Sequence, residues 1–183
     1  GCGTIGIFTL QWAKIFGAKR IVAFDINDDR LALAKRMGAD EVINTLSPDF
    51  MEQTQGITGG VGFENVFESA GTPATMKLAF ELAANKAKVC FIGTPHKDVT
   101  FTPKQWENLN RKEFSLVGSW MSYSAPFPGK EWALTAHYFA TGELKFDKDF
   151  IFRTFPMEQV SDAFSLYRNP DQVHGKILLI NDK

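Results

Sequence analysis

Residues 1–6, Gly1-Cys2-Gly3-Thr4-Ile5-Gly6, spell G-x-G-x-x-G, and the helical period follows at once, with apolar residues at Ile5, Phe8, Trp12, Ile15 and Phe16. A glycine turn that opens a helix suits a pyrophosphate. The first two glycines permit a tight turn and close approach of the backbone, and the third lets the helix pack on a sheet. The first helical turn then presents unpaired N–H groups and a positive partial charge. Gly17 is a natural stop for this helix.

Outward from the motif, extended and helical patterns alternate. A strand is predicted at 20–25, then a helix capped by Asn27 that runs to about Met37 and stops at Gly38. A short strand follows at Glu41–Asn44, and Ser47-Pro48 reads as cap plus first turn of another helix. Phe63–Glu68 is a strand. Thr72-Pro73 starts a helix to about Ala84, Ala87–Ile92 is a strand, Thr102-Pro103 starts a short helix, and Ser115–Ser119 is a strand. Strands alternating with helices imply crossover units and a parallel sheet, here with apolar runs that suit strands covered on both faces. Residues 1–121 therefore read as a doubly wound α/β domain of the Rossmann type.

The rhythm changes after Trp120. Residues 122–129 hold Ser-Ala-Pro-Phe-Pro-Gly, a turn-rich linker. A helix near 131–140, a strand near 151–155, a helical stretch over 156–168 and a strand at 177–180 complete an α+β segment, 122–183. It is too short for a well-packed domain by itself.

Asp25 stands at the end of the first extended run, about twenty residues beyond the glycines, where an acid binds the adenosine ribose hydroxyls of a dinucleotide and repels the extra phosphate of NADP. NAD is the expected cofactor. Arg30, five residues on, either lies against the adenine or faces water. The glycine motif ought to follow a strand, and none precedes Gly1. In the strand order 3-2-1-4-5-6 that strand is central, so the chain is expected to be a fragment of a longer protein.

Bulk properties exclude several classes. Net charge is −1, from 20 basic and 21 acidic residues, so no field gathers nucleic acid or an anionic membrane. No apolar run is long enough to span a bilayer, and no secretory signal opens the chain. Cys2 and Cys90 make no C-x-x-C pair, and His96, His137 and His174 are scattered. We assign no metal ligand and no catalytic residue, and two ordinary thiols suit a cytoplasmic protein.

The spaced features together resemble the zinc-containing medium-chain dehydrogenases of alcohols and polyols, near the sorbitol and threonine dehydrogenases. They are Gly1 to Gly6 with Asp25, residues 33–40 (Leu-Ala-Lys-Arg-Met-Gly-Ala-Asp), Glu68-Ser69-Ala70-Gly71, Phe91-Ile92-Gly93-Thr94, Arg111-Lys112-Glu113 before Leu116-Val117-Gly118, and Gly175-Lys176-Ile177. Within that family, Gly118-Ser119-Trp120-Met121-Ser122-Tyr123-Ser124 with Pro126, Pro128-Gly129 and Glu131-Trp132 is most similar to a branch that oxidises a sugar-alcohol phosphate. Met121 stands where many sorbitol-type members have arginine.

The resemblance implies an oxidoreductase in which zinc polarises a substrate hydroxyl and hydride passes to NAD. It implies that backbone around Gly1, Gly3, Thr4 and Ile5 holds the pyrophosphate, and that Asp25, Ile26 and Arg30 hold the adenosine. Ser69 and Ala70 would line the adenine and ribose side. Ile92, Gly93 and Thr94, with Ser119, Trp120 and Met121, would flank the nicotinamide. Each has a plainer alternative: Asp25 as a polar strand end in solvent, Ile92 as core, Trp120 as packing. Zinc ligands and proton relay would belong to an N-terminal domain outside this sequence, and residues 122–183 would return to pack on it. Lys97, Arg111 and Lys130, in candidate loops, are candidate cations for a substrate phosphate. Pairing through the edge at Ser115–Ser119 would make a homodimer or homotetramer. The alternatives are a sorbitol-, butanediol- or threonine-type enzyme, or an NAD-binding module without chemistry.

Overall fold

The computed structural model describes residues 1–120, 127–169 and 172–181. The chain divides into two compact units, Gly1–Leu144 and Lys145–Lys183. In the first, the elements run α1 (Thr4–Ile15), β1 (Val22–Asp25), α2 (Asp28–Arg36), β2 (Glu41–Asn44), α3 (Phe50–Thr58), β3 (Phe63–Glu68), α4 (Pro73–Leu82), β4 (Ala83–Phe91), α5 (Pro103–Arg111), β5 (Ser115–Gly118) and α6 (Lys130–Thr141).

All strand pairs in this unit are parallel, in two ladders, β1-β2 and β3-β4-β5. Laid along the order of a doubly wound sheet, they leave one strand position between β1 and β3 that no described residue fills. The chain is thus an α/β fold with parallel strands and helical crossovers, as its alternation predicts.

Local chemistry explains the boundaries. Asn27 caps α2 by accepting the Arg30 N–H at 3.0 Å. Thr72 and Thr102 each form a capping box with proline in the first turn, starting α4 and α5. Ser47 does not cap α3 as expected. It hydrogen-bonds the side chain of Asp49, the helix starts at Phe50, and Ser47-Pro48 lies in a turn before it. β4 begins at Ala83 rather than Ala87, but Lys86 has φ +61° and the regular ladder with β3 resumes only at Lys88.

The core gathers around Phe80 of α4, whose ring centroid lies 4.7 Å from Phe101 and 5.0 Å from Phe114. Ala83, Ala84, Ala87 and Val89 complete the cluster. Fully burying a side chain the size of Phe80, Phe114 or Val89 contributes about 1.5–3 kcal/mol. Helix α6 packs on α1 through aromatic rings: Trp12 meets Tyr138 at 5.4 Å edge-on, and Phe8 meets Phe139 at 6.0 Å. β5 departs from the expectation of two-sided cover. All four residues of this outer strand are exposed, with Leu116 at 42% and Val117 at 45%, so both of its faces are open.

The second unit holds β6 (Ile151–Pro156), α7 (Val160–Ser165) and β7 (Lys176–Ile180), with β6 and β7 parallel. The expected helix over 156–168 is broken: 3-10 turns at Met157–Gln159 and Leu166–Arg168 flank α7. Phe150, Phe155, Ala163 and Val173 are buried, whereas Leu178 and Ile180 of β7 are exposed. Among the described residues no helix is long and apolar enough to cross a membrane.

Candidate cofactor-binding site

The glycine turn sits at the C-terminal ends of β1 and β3 and is tied to both. The Cys2 N–H donates to Asp25 Oδ2 at 2.6 Å, and Ser69 Oγ donates to the Gly1 carbonyl at 2.9 Å. The glycines answer to contact as the motif requires. A Cβ at Gly6 would lie 1.9 Å from the Gly1 oxygen, and one at Gly1 would lie 2.9 Å from the Ala70 Cβ. Above Gly3 a Cβ would meet nothing within 4 Å. Gly3 is the N-cap of α1, no side chain caps the helix, and its first turn carries no acid. An uncapped positive helix end beneath open space suits an anionic diphosphate approaching Gly3, Thr4 and Ile5.

Asp25 is buried, not a solvated strand end. Its Oδ1 accepts the N–H groups of Ile26 at 2.8 Å and Asn27 at 3.0 Å, and Arg30 Nη1 stands 4.0 Å from the same oxygen. A carboxylate offers about four acceptor sites, so one direction at Oδ2 remains for a hydroxyl donor. Ile26 is exposed beside it. The structure therefore brings Gly1, Gly3, Asp25, Ile26 and Arg30 into one neighbourhood.

Beyond β3 the turn Ser69-Ala70-Gly71 meets the turn Ile92-Gly93-Thr94 beyond β4. A Cβ at Gly71, where φ is +69°, would lie 2.6 Å from the Thr94 oxygen, and one at Gly93 would lie 2.3 Å from the Gly71 nitrogen. Glu68 binds the two turns together. Its side chain accepts the N–H groups of Ala70 and Gly71, and its carbonyl accepts those of Ile92 and Gly93. Sequence reasoning placed Glu68 in a motif and gave it no role. The available signal was an acid ending an apolar strand just ahead of Ser-Ala-Gly.

Ile92, Gly93, Thr94, Ser119 and Trp120 all line one groove of about 660 Å³, joined by Met76, Val99 and Phe101, which the sequence did not mark. Ser119 is held there by its N–H donating to the Phe91 carbonyl at 2.9 Å. Trp120 is exposed at 66%, a flat apolar surface at the rim. Met121 lies outside the described residues.

Of the three candidate cations, Arg111 ends α5 and pairs with Glu107 at 2.8 Å, four residues back, so it is not a loop cation. Lys130 is the first residue of α6. Lys97 is exposed in the loop between two groove residues, Pro95 and Val99. Among the described residues no three His, Cys, Asp or Glu side chains gather as a metal site. Burial pushes the Cys2 thiol up to about 11, and burial also raises Cys90, so neither is a ready thiolate.

Residues 4–136 match the model of the zinc-binding dehydrogenase family, and the chain belongs to that family. It is 36% identical over 182 residues to galactitol 1-phosphate 5-dehydrogenase of Escherichia coli (strain K12), covering 98% of this chain and 51% of that one. The crystal structure of galactitol-1-phosphate dehydrogenase from Escherichia coli superposes with a TM-score of 0.87 at 34% identity, over 98% of this chain and 51% of that chain. A short chain alcohol dehydrogenase from Escherichia coli CFT073, complexed with the cofactor NADH, superposes with a TM-score of 0.76 at 27% identity, over 98% and 50%. The chain spans about half the length of the curated relatives it matches.

Proposed function

We propose that this chain is the NAD-binding half of a zinc-dependent medium-chain dehydrogenase that oxidises a sugar-alcohol phosphate, galactitol 1-phosphate to tagatose 6-phosphate. The observation that carries the cofactor assignment is the clasp of Asp25 on the glycine turn. It sets a buried acid beside an uncapped helix end, with an apolar groove at the C-terminal ends of β4 and β5. In this reading Gly1, Gly3, Thr4 and Ile5 hold the diphosphate. Asp25, Ile26 and Arg30 hold the adenosine, and Ser69 and Ala70 line the ribose side. Ile92, Gly93, Thr94, Ser119, Trp120 and Met121 flank the nicotinamide. Bound NAD supplies the hydride acceptor. The apolar wall of Ile92, Val99 and Phe101 excludes water from that face.

The substrate assignment is supported by the identity to the galactitol 1-phosphate enzyme across nearly the whole chain. Zinc ligands and proton relay are assigned to the half of the protein outside this chain. Three features support a larger whole: the open strand position between β1 and β3, the exposed Leu178 and Ile180 of the small second unit, and the exposed edge of β5. We assign them to a central strand, to a catalytic domain on which residues 122–183 pack, and to a homodimer or homotetramer contact. The free thiols Cys2 and Cys90 suit a cytoplasmic home.

The test is a substrate panel on the full-length, zinc-loaded protein with NAD and NADP. Turnover of galactitol 1-phosphate with NAD, well above free galactitol, sorbitol, butanediol or L-threonine, is expected. Turnover of an unphosphorylated alcohol alone sinks the substrate assignment, and NAD binding without any turnover leaves a binding module.

A further inference from the structure

Glu68 is 4% exposed, and its two carboxylate oxygens are treated unequally. Oε1 accepts three donors: the Ala70 and Gly71 N–H groups at 2.9 Å each and the Thr75 hydroxyl at 2.8 Å, the last from the first turn of α4. This is the setting of a carboxylate anion, with converging donors and a helix N-terminus. Oε2 is buried and has no hydrogen-bond partner among the described residues. It lies against Gly93: a Cβ there would sit 2.7 Å from it. Gly93 lines the groove and Glu68 does not, so the uncompensated oxygen stands directly behind the groove wall.

A buried charge is weakly screened, and its field reaches across a thin wall. We infer that Glu68 poises the cofactor: its carboxylate, behind Gly93, favours the oxidised, cationic nicotinamide over the reduced, neutral one. The inference rests on the proposed seat of the nicotinamide in this groove. Glu68 does not line the groove; it acts through the wall, as a positioning residue whose charge sets a preference.

The experiment measures dissociation constants of NAD+ and NADH separately by calorimetry on the full-length protein, wild type and Glu68→Gln, with a thermal melt of each. Glutamine keeps an acceptor for the three donors and removes the charge. The ratio Kd(NAD+)/Kd(NADH) is expected to rise about tenfold, equivalent to ~1.4 kcal/mol. An unchanged ratio, or equal weakening of both nucleotides, overturns the inference. Should Glu68→Gln fail to fold, Thr75→Val carries the test. It strips a donor from Oε1, leaves the charge less compensated, and is expected to lower the ratio roughly two- to threefold, by the modest worth of one hydrogen bond. A ratio that holds or rises in Thr75→Val counts against it. Failure of the wild type to bind either nucleotide is a separate result, which overturns the cofactor-binding reading and this inference with it.

Discussion

The backbone N–H of Cys2 donates to the carboxylate of Asp25 at 2.6 Å, across 23 positions of sequence. The acid at the end of β1 therefore shapes the glycine turn before any nucleotide arrives. Replacing Asp25 by alanine strands the N–H groups of Cys2, Ile26 and Asn27. We expect a loss of about 2–4 kcal/mol of stability, by the worth of charge-assisted hydrogen bonds, and at least a tenfold weakening of NAD binding. Urea unfolding and calorimetry on the full-length protein check both. Weakened binding at unchanged stability would refute the structural half.

The glycines divide into two kinds. Gly6→Ala drives a Cβ to 1.9 Å from the Gly1 oxygen, so the turn must deform and the melting temperature should fall. Gly3→Ala meets nothing within 4 Å, so the protein should melt as the wild type does. Its methyl, however, occupies the space over the helix end, and NAD affinity should drop by roughly tenfold or more. Normal NAD binding in Gly3→Ala would remove the diphosphate from this position.

Lys112 is a structural cation. Its Nζ donates to the carbonyls of Phe80 at 3.2 Å, Glu81 at 2.8 Å and Ala83 at 2.8 Å, the end of α4. Three donors thus meet three carbonyls at the negative helix end. Lys112→Met should cost about 1–3 kcal/mol in chemical denaturation. The ratio of NAD to NADH affinities should stay as it was. An unchanged denaturation midpoint would show that the carbonyls do not depend on it.

Cys2 links stability to alkaline pH. Burial holds its thiol at about 11 in the fold, against 9.0 ordinarily, so the native state keeps a proton that the unfolded chain gives up. The associated stability is whole below pH 9 and is lost as pH rises through 11, up to ~2–3 kcal/mol. Thermal melts from pH 8 to 11 should decline more steeply for the wild type than for Cys2→Ala. Parallel curves would dismiss the effect.

Much of the fold is legible in the chain because it rests on local signals. The Asn27, Thr72 and Thr102 caps and the extended runs at Glu41–Asn44 and Phe63–Glu68 each act within a few residues, and they form where the spacing predicts. Ser47 misleads because its hydroxyl finds the nearer Asp49 carboxylate before it finds a helix N–H. The period over 156–168 does not reveal the 3-10 turns that break that helix, and the apolar run at 115–119 does not reveal that β5 is exposed.

The candidate site divides in the same way. Gly1, Gly3, Gly6 and Asp25 are recognisable in order along the chain, since a turn that must admit a phosphate accepts few residue types and the acid follows at one crossover's length. Nothing in the sequence pairs Cys2 with Asp25, sets Glu68 between Gly71 and Gly93, or puts Met76, Val99 and Phe101 in one groove with Trp120. The sequence by itself determined the alternation of strands and helices, the caps and the glycine turn, because these depend on backbone geometry and side-chain period over short spans. Only the tertiary structure decided which turns meet and which carboxylate oxygen is left without a donor. Those contacts join residues tens of positions apart, brought together by the parallel ladders and the packing around Phe80.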